Sequence, residues 1–159
     1  MKSFVLRFLM LVPILFCFSC EKDCTRSFSF DIDQVQLEKD ITTIENYLNS
    51  NGLSAEKTDS GIHYIIDEEG SGDFPCLESR VTVNYRGYLT SGQEFDSNSG
   101  ISFNLTGVID GWKEGMTLFR KGGSGTLLIP SGLGYGPAGI PGTIPGNSVL
   151  IFDVELISF

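Results

Sequence analysis

Apolar and polar residues alternate in short runs along the second half of the chain. Val81, Val83 and Tyr85 interleave with Thr82, Asn84 and Arg86, the period of a half-buried strand. Gly87 interrupts the run in the manner of a bulge, before Tyr88 and Leu89. Ile101, Phe103 and Leu105 repeat the alternation. In residues 149–158, Leu150, Phe152, Val154 and Leu156 share one face while Asp153 and Glu155 share the other. Residues 62–67 and 125–130 read as further short strands, and the turn Thr90-Ser91-Gly92 leads into Glu94-Phe95-Asp96 as a hairpin. Short turns between short strands imply mainly antiparallel pairing.

Two stretches change to helical spacing. Trp112, Gly115, Met116 and Phe119 recur on one face of a helix that starts near Asp110, a candidate N-cap, and stops at Lys121-Gly122-Gly123. Trp112 is the single tryptophan of the chain. Residues 33–49 carry Val35, Leu37, Ile41, Ile44, Tyr47 and Leu48 as an apolar stripe, with Asn51-Gly52 as the stop. This helix packs either on its own domain or against a second copy, and the first is the expectation. The picture is α+β: one short helix laid on an antiparallel sheet, with an N-terminal helix outside it. Residues 131–148 hold Gly132, Gly134, Gly136, Gly139, Gly142 and Gly146 among Pro137, Pro141 and Pro145, a composition incompatible with helix or central strand. A loop of that length is commonly functional, and its Tyr135, Ile140 and Ile144 suit the edge of a pocket.

With 159 residues the chain suits one domain plus appendages. Its net charge of −9 argues against nucleic-acid phosphates as partners. Residues 1–19 read as an export signal: Lys2 and Arg7 precede an apolar run, residues 8–18, that is too short to span a membrane. Cys17-Phe18-Ser19-Cys20 resembles a bacterial lipobox, which implies that Cys20 becomes a lipidated N-terminus; an ordinary signal peptide or uncleaved anchor is the alternative. Cleavage removes Lys2 and Arg7 and takes the charge from −9 to −11. Cys24 and Cys76 then remain, either as a disulfide suited to an oxidising compartment or as two thiols. No His or Cys cluster suggests a metal site, and His63, the single histidine, reads as a strand surface residue. By themselves Asp96 reads as a turn-capping carboxylate and Tyr135 as a packing tyrosine. The sequon-like Asn104-Leu105-Thr106 reads as chance.

Five motifs in order carry a family resemblance. Val83-Asn84-Tyr85-Arg86-Gly87, Gly92-Gln93-Glu94-Phe95-Asp96-Ser97, Val108-Ile109-Asp110-Gly111-Trp112-Lys113-Glu114-Gly115-Met116, Leu133-Gly134-Tyr135-Gly136 and Leu150-Ile151-Phe152-Asp153-Val154-Glu155-Leu156 resemble the FKBP-type peptidyl-prolyl cis-trans isomerases. The resemblance implies a strongly twisted antiparallel sheet wrapped around the short helix. It covers about residues 60–159, so with the export signal and the helix above, the chain divides into a signal peptide (1–19), a lipidated tether (20–32), a helical extension (33–59) and an isomerase domain (60–159).

The resemblance also implies a site. Trp112 matches the indole floor beneath the substrate proline, Tyr135 a rim hydroxyl that donates to a substrate carbonyl, and Asp96 a polar margin; these are the expected catalytic residues. Tyr85, Phe95 and Phe152 match aromatic walls, and Val108 and Ile109 match residues whose backbone N–H groups face the ligand. Thr143 and Ile144 match the apolar side of the loop. Ile101 stands where many members have an aromatic, and Ile140 where some have histidine, so substrate and drug preferences differ in detail. The implied activity needs no cofactor or metal. The implied partners are proline-containing polypeptides, rapamycin-like macrolides as inhibitors and, through Cys20, a membrane. An exported bacterial lipoprotein, periplasmic or at the cell surface, follows. The rival reading is a chaperone-like holdase or partner-binding module on the same fold.

Overall fold

The computed structural model describes Cys24 and residues 28–159. The signal peptide and the lipidated Cys20 expected from the sequence lie outside these residues. In chain order the elements are helix α1 (Gln34–Asn51), strands β1 (Glu56–Lys57), β2 (His63–Glu68), β3 (Arg80–Leu89) and β4 (Glu94–Asn104), helix α2 (Asp110–Gly115), and strands β5 (Ser124–Ile129) and β6 (Leu150–Ser158). The strands form one open antiparallel sheet in the order β1-β2-β5-β6-β3-β4.

The two-residue period of the central strands decides where the helices go. On β5, Leu127 and Ile129 belong to one core cluster and Leu128 to another. On β6, Leu150, Phe152, Val154 and Leu156 join the first cluster, while Ile151 joins the second. Around Leu128 and Ile151 both faces are therefore buried and each takes one helix, while farther along β6 Glu155 and Ile157 are exposed and the alternation survives. Helix α2 and the turn after it supply Trp112, Met116 and Phe119 to the first cluster. Helix α1 lays Ile44 and Leu48 on the second, against Tyr88, Leu128, Val149 and Ile151. So α1 packs on its own domain. Asp33 caps it by accepting from the N–H groups of Val35 and Gln36, and Gly52 ends it in the left-handed conformation, as Asn51-Gly52 foretold.

Helix α2 rides close to β5 because two of its residues lack side chains. A Cβ on Gly111 would stand 2.3 Å from Ile129 Cγ2, and one on Gly115 would stand 2.7 Å from Leu127 Cδ1. This approach sets the depth at which Trp112 sits.

Four sequence expectations need correction. The α2 segment is shorter than expected: a 3₁₀ turn, Met116–Leu118, follows it, and Phe119 is already extended, so Lys121-Gly122-Gly123 forms a separate turn. Asp110 is not the N-cap. Ile109 takes that place with its carbonyl accepting from Trp112 and Lys113, while Asp110 lies in the first turn and receives the Lys113 ammonium at 2.7 Å. The pattern over residues 94–105 predicts two strand pieces with a connection between them. They form the single strand β4 up to Asn104, because a register shift between Val83 and Tyr85 absorbs the irregularity and Asn84 Oδ1 accepts from Gly100 N–H. Leu105 itself opens the 3₁₀ turn Leu105–Gly107. His63 is buried rather than on the surface, 4% exposed, because it stands opposite Leu128 on the sheet face that α1 covers.

The segment ahead of α1 also lies on the domain. Phe30 and Ile32 pack against the first cluster, and Cys24 is bonded to Cys76.

Candidate active site

A cavity of about 360 Å³ opens beside the start of α2. Trp112, only 4% exposed, forms its floor. Three rings meet the indole edge-on: Phe152 of β6 with centroids 5.2 Å away, Tyr85 of β3 at 5.3 Å and Phe103 of β4 at 5.4 Å. Such T-shaped contacts are worth roughly 0.5–1.5 kcal/mol each beyond burial, so the cup holds its shape without a ligand. Gly107, Val108 and Ile109, from the 3₁₀ turn and the approach to α2, supply one wall.

The polar groups sit at one margin. The Tyr85 hydroxyl donates to Asp96 Oδ2 at 2.6 Å. Burial, and then this bond to a carboxylate, raise the Tyr85 phenol well above its ordinary value, so it stays a donor at any physiological pH. Tyr135, 38% exposed on the Gly-rich loop, lines the rim. Its phenol is also raised, first by partial burial and then by the nearby charge of Asp96. The cavity thus combines an apolar aromatic base with one carboxylate and two phenols. Among the described residues, no group of three His, Cys, Asp or Glu side chains is placed to hold a metal ion.

Seven of the residues singled out in the sequence line this cavity together: Tyr85, Asp96, Val108, Ile109, Trp112, Tyr135 and Phe152. Five others stand elsewhere, and of these Thr143 is exposed on the loop. Phe95 backs the wall, its ring 5.5 Å from Phe152, and both rings fill the space left by the absent side chain of Gly87. Ile101 packs half-buried on the core cluster. Ile140 and Ile144 bond to each other through both backbone pairs at 2.8 Å, which closes a tight loop and turns Ile144 into the core, 3% exposed. Phe103 and Gly107 line the cavity although the sequence reading did not single them out for it. The signal for Phe103 was its place in the alternation with Ile101 and Leu105; Gly107 left none.

Comparison with known proteins bears on this geometry. A family model described as FKBP-type peptidyl-prolyl cis-trans isomerase matches residues 73–157, just over half the chain. The isomerase FkpA of Escherichia coli K12 is 41% identical over 136 residues, which are 78% of this chain and 49% of that protein. FK506-binding protein 1 of Gibberella zeae is 42% identical over 106 residues, 60% of this chain and 96% of that one. The crystal structure of Escherichia coli FkpA superposes with a TM-score of 0.67 at 39% identity, covering 79% of this chain and 63% of the other. That of a peptidyl-prolyl cis-trans isomerase from Pseudomonas syringae superposes at 0.69 with 28% identity, covering 82% and 98%. The chain spans about half the length of the FkpA proteins it matches. With an aromatic cup built on α2 and a family match that begins before β3 and ends within β6, the chain belongs to the FKBP-type peptidyl-prolyl cis-trans isomerase family.

Proposed function

We propose that this protein catalyses cis–trans isomerisation of X-Pro bonds in exported polypeptides. The observation that carries the reading is the Trp112-floored cup with the Tyr85–Asp96 pair and Tyr135 at one margin. Rotation about a peptide bond meets a barrier of about 18–20 kcal/mol because resonance must be broken. Uncatalysed X-Pro exchange takes tens of seconds or more. The planar amide is the more polar state, so an apolar cup favours the twisted one. Here the proline ring rests on Trp112 between Tyr85 and Phe152, and the Tyr135 hydroxyl donates to a substrate carbonyl. Asp96, held by Tyr85, fixes the field across the twisting bond. No proton is transferred and no covalent bond is made. An acceleration of about 10⁴ requires about 5.4 kcal/mol of differential stabilisation, within reach of desolvation plus one or two hydrogen bonds.

The same cup would accept a rapamycin-like macrolide through its apolar floor. The apolar run ending at Ser19-Cys20 supports export and a lipid anchor on Cys20, with the domain held at a membrane facing the periplasm or the cell exterior. Intact-mass analysis of detergent-extracted protein tests the anchor: acyl mass on Cys20 is expected, and mature protein lacking Cys20 or free of lipid refutes it.

The enzymatic test is the cis-to-trans rate of a Leu-Pro-Phe peptide with residues 21–159 added at increasing concentration. A rate that rises in proportion to protein supports the reading. An unchanged rate with strong binding of unfolded protein establishes the holdase instead.

A further inference from the structure

Helix α1 stands on the sheet face opposite the cavity, yet one of its residues reaches the loop that carries Tyr135. Asp40 is 3% exposed, a buried carboxylate with neutral hydrogen-bond donors. Its Oδ2 accepts from the Ser131 N–H at 2.8 Å and from the Ser131 hydroxyl at 2.6 Å, and its Oδ1 accepts from Gln36 Nε2 at 2.8 Å. Burying a carboxylate is costly unless its oxygens are satisfied, so the sequence holds this group against a penalty. The packing of α1 does not require it, since Ile44 and Leu48 already seat the helix on the sheet.

The bonds continue past Ser131. The Ser131 carbonyl accepts from Gly134 N–H at 3.0 Å and from Gly136 N–H at 2.8 Å. These donors flank Tyr135 on either side. The Tyr135 carbonyl in turn accepts from Gly139 at 3.1 Å. A glycine-rich segment has little intrinsic preference for one conformation, and fixing it costs backbone entropy. Here the backbone of Ser131 is engaged on both sides: its N–H and hydroxyl by Asp40, its carbonyl by the residues around Tyr135. We infer that Asp40 is a positioning residue: through Ser131 it holds the Tyr135 loop in register with the cavity, which makes α1 part of the active-site scaffold. The inference rests on the isomerase reading for its kinetic consequence but not for its structural one.

The experiment uses the mature chain with Asp40→Ala, Asp40→Asn and Ser131→Ala, each alone and combined with Tyr135→Phe. Amide hydrogen exchange reports on the loop, and kcat and KM for a Leu-Pro-Phe peptide report on the site. Asp40→Ala should speed exchange at Gly134 and Gly136 selectively and lower kcat about two- to twelvefold, the equivalent of one hydrogen bond. Asp40→Asn keeps an acceptor oxygen and should recover most of both. In the Tyr135→Phe background Asp40→Ala should cost little more, because its effect passes through that hydroxyl. Should Asp40→Ala fail to fold, Ser131→Ala, which loses only the hydroxyl, carries the same comparison. Equal losses in both backgrounds, or unchanged exchange at Gly134 and Gly136, overturn the inference and leave Asp40 as an anchor of α1. If the wild type does not accelerate the peptide, the isomerase reading fails, and the exchange at Gly134 and Gly136 still decides the positioning.

Discussion

Replacing Tyr85 with phenylalanine separates the two jobs of that side chain. The ring remains and keeps its contacts to Trp112 and Phe152, while the 2.6 Å bond to Asp96 is lost. A hydrogen bond to a charged group contributes about 1.5–3 kcal/mol when sheltered. Asp96 is exposed, and water takes over part of that role, so the expected loss of stability is about 0.5–1.5 kcal/mol. Over a domain of this size that lowers Tm by roughly 2–6 °C. The phenol adds a signature in alkali. Its pKa is raised in the folded state above the ordinary 10.0, so the stability it provides is complete below pH 10 and is lost as pH rises through the folded value. The variant should therefore lose stability less steeply above pH 10 than wild type, with Tyr64, Tyr88 and Tyr135, whose phenols are also raised, supplying the remaining slope. In the peptide assay at neutral pH, a freely rotating Asp96 should reduce kcat/KM by about two- to twelvefold. Wild-type activity combined with the expected drop in Tm would refute the catalytic part of the argument. An unchanged Tm and alkaline slope would refute the electrostatic part.

The other expectations are simpler. Tyr135→Phe should lower isomerisation about two- to twelvefold with little change in Tm, and Asp96→Leu should lower it further; equal activity of all folded forms would remove both side chains from the mechanism. Trp112→Ala removes a buried ring and should cost about 3–5 kcal/mol by urea denaturation, so its activity is to be compared only below its own transition; a loss under 1 kcal/mol would contradict the central packing described. Burial lowers the His63 pKa below 6.5, the Gly61 carbonyl opposes this, Lys57 adds to it and Glu45 opposes it. Stability should thus be full above pH 6.5 and fall as pH drops through the folded value, and His63→Gln should flatten that slope; parallel slopes would refute it. Reducing the Cys24–Cys76 bond, which spans a sequence separation of 52, should cost roughly 4 kcal/mol by loop entropy, read as a shift of the urea midpoint with and without reductant.

What the sequence disclosed depended on how each residue is buried. Strands β3 and β6 showed themselves because one face meets the core and alternation survives. Strand β4 did not: it lies at the sheet edge, and all but Phe95, Ile101 and Phe103 are exposed, so its middle, Ser97 to Gly100, looks like a loop. The aromatic site residues were legible because their motifs hold a fixed order along the chain. Gly107 was not, since a backbone wall has no side chain to announce it. Asp40 was hidden by its own helix: an acidic residue among Glu38, Lys39 and Glu45 reads as solvated, and only Ser131, far along the chain, gives it a buried partner. Ile140 and Ile144 were assigned to a pocket edge because apolar loop residues need cover, and for Ile144 the cover is the domain core.

The place of β6 in the sheet has a consequence for biogenesis. It pairs with β5 on one side and β3 on the other, so the last of these strands in chain order is the one that joins the two halves of the sheet. A nascent chain lacking residues 150–158 has β1-β2-β5 and β3-β4 with nothing between them, and it also lacks Phe152. Nucleation by early segments cannot complete the sheet; long-range pairing must wait for β6, which places the fold among the slower topologies. During that wait the facing edges of β5 and β3 stay unpaired. A protein proposed to hasten the folding of others therefore cannot act before its own β6 is available, and deleting β6 should abolish the cup together with the fold.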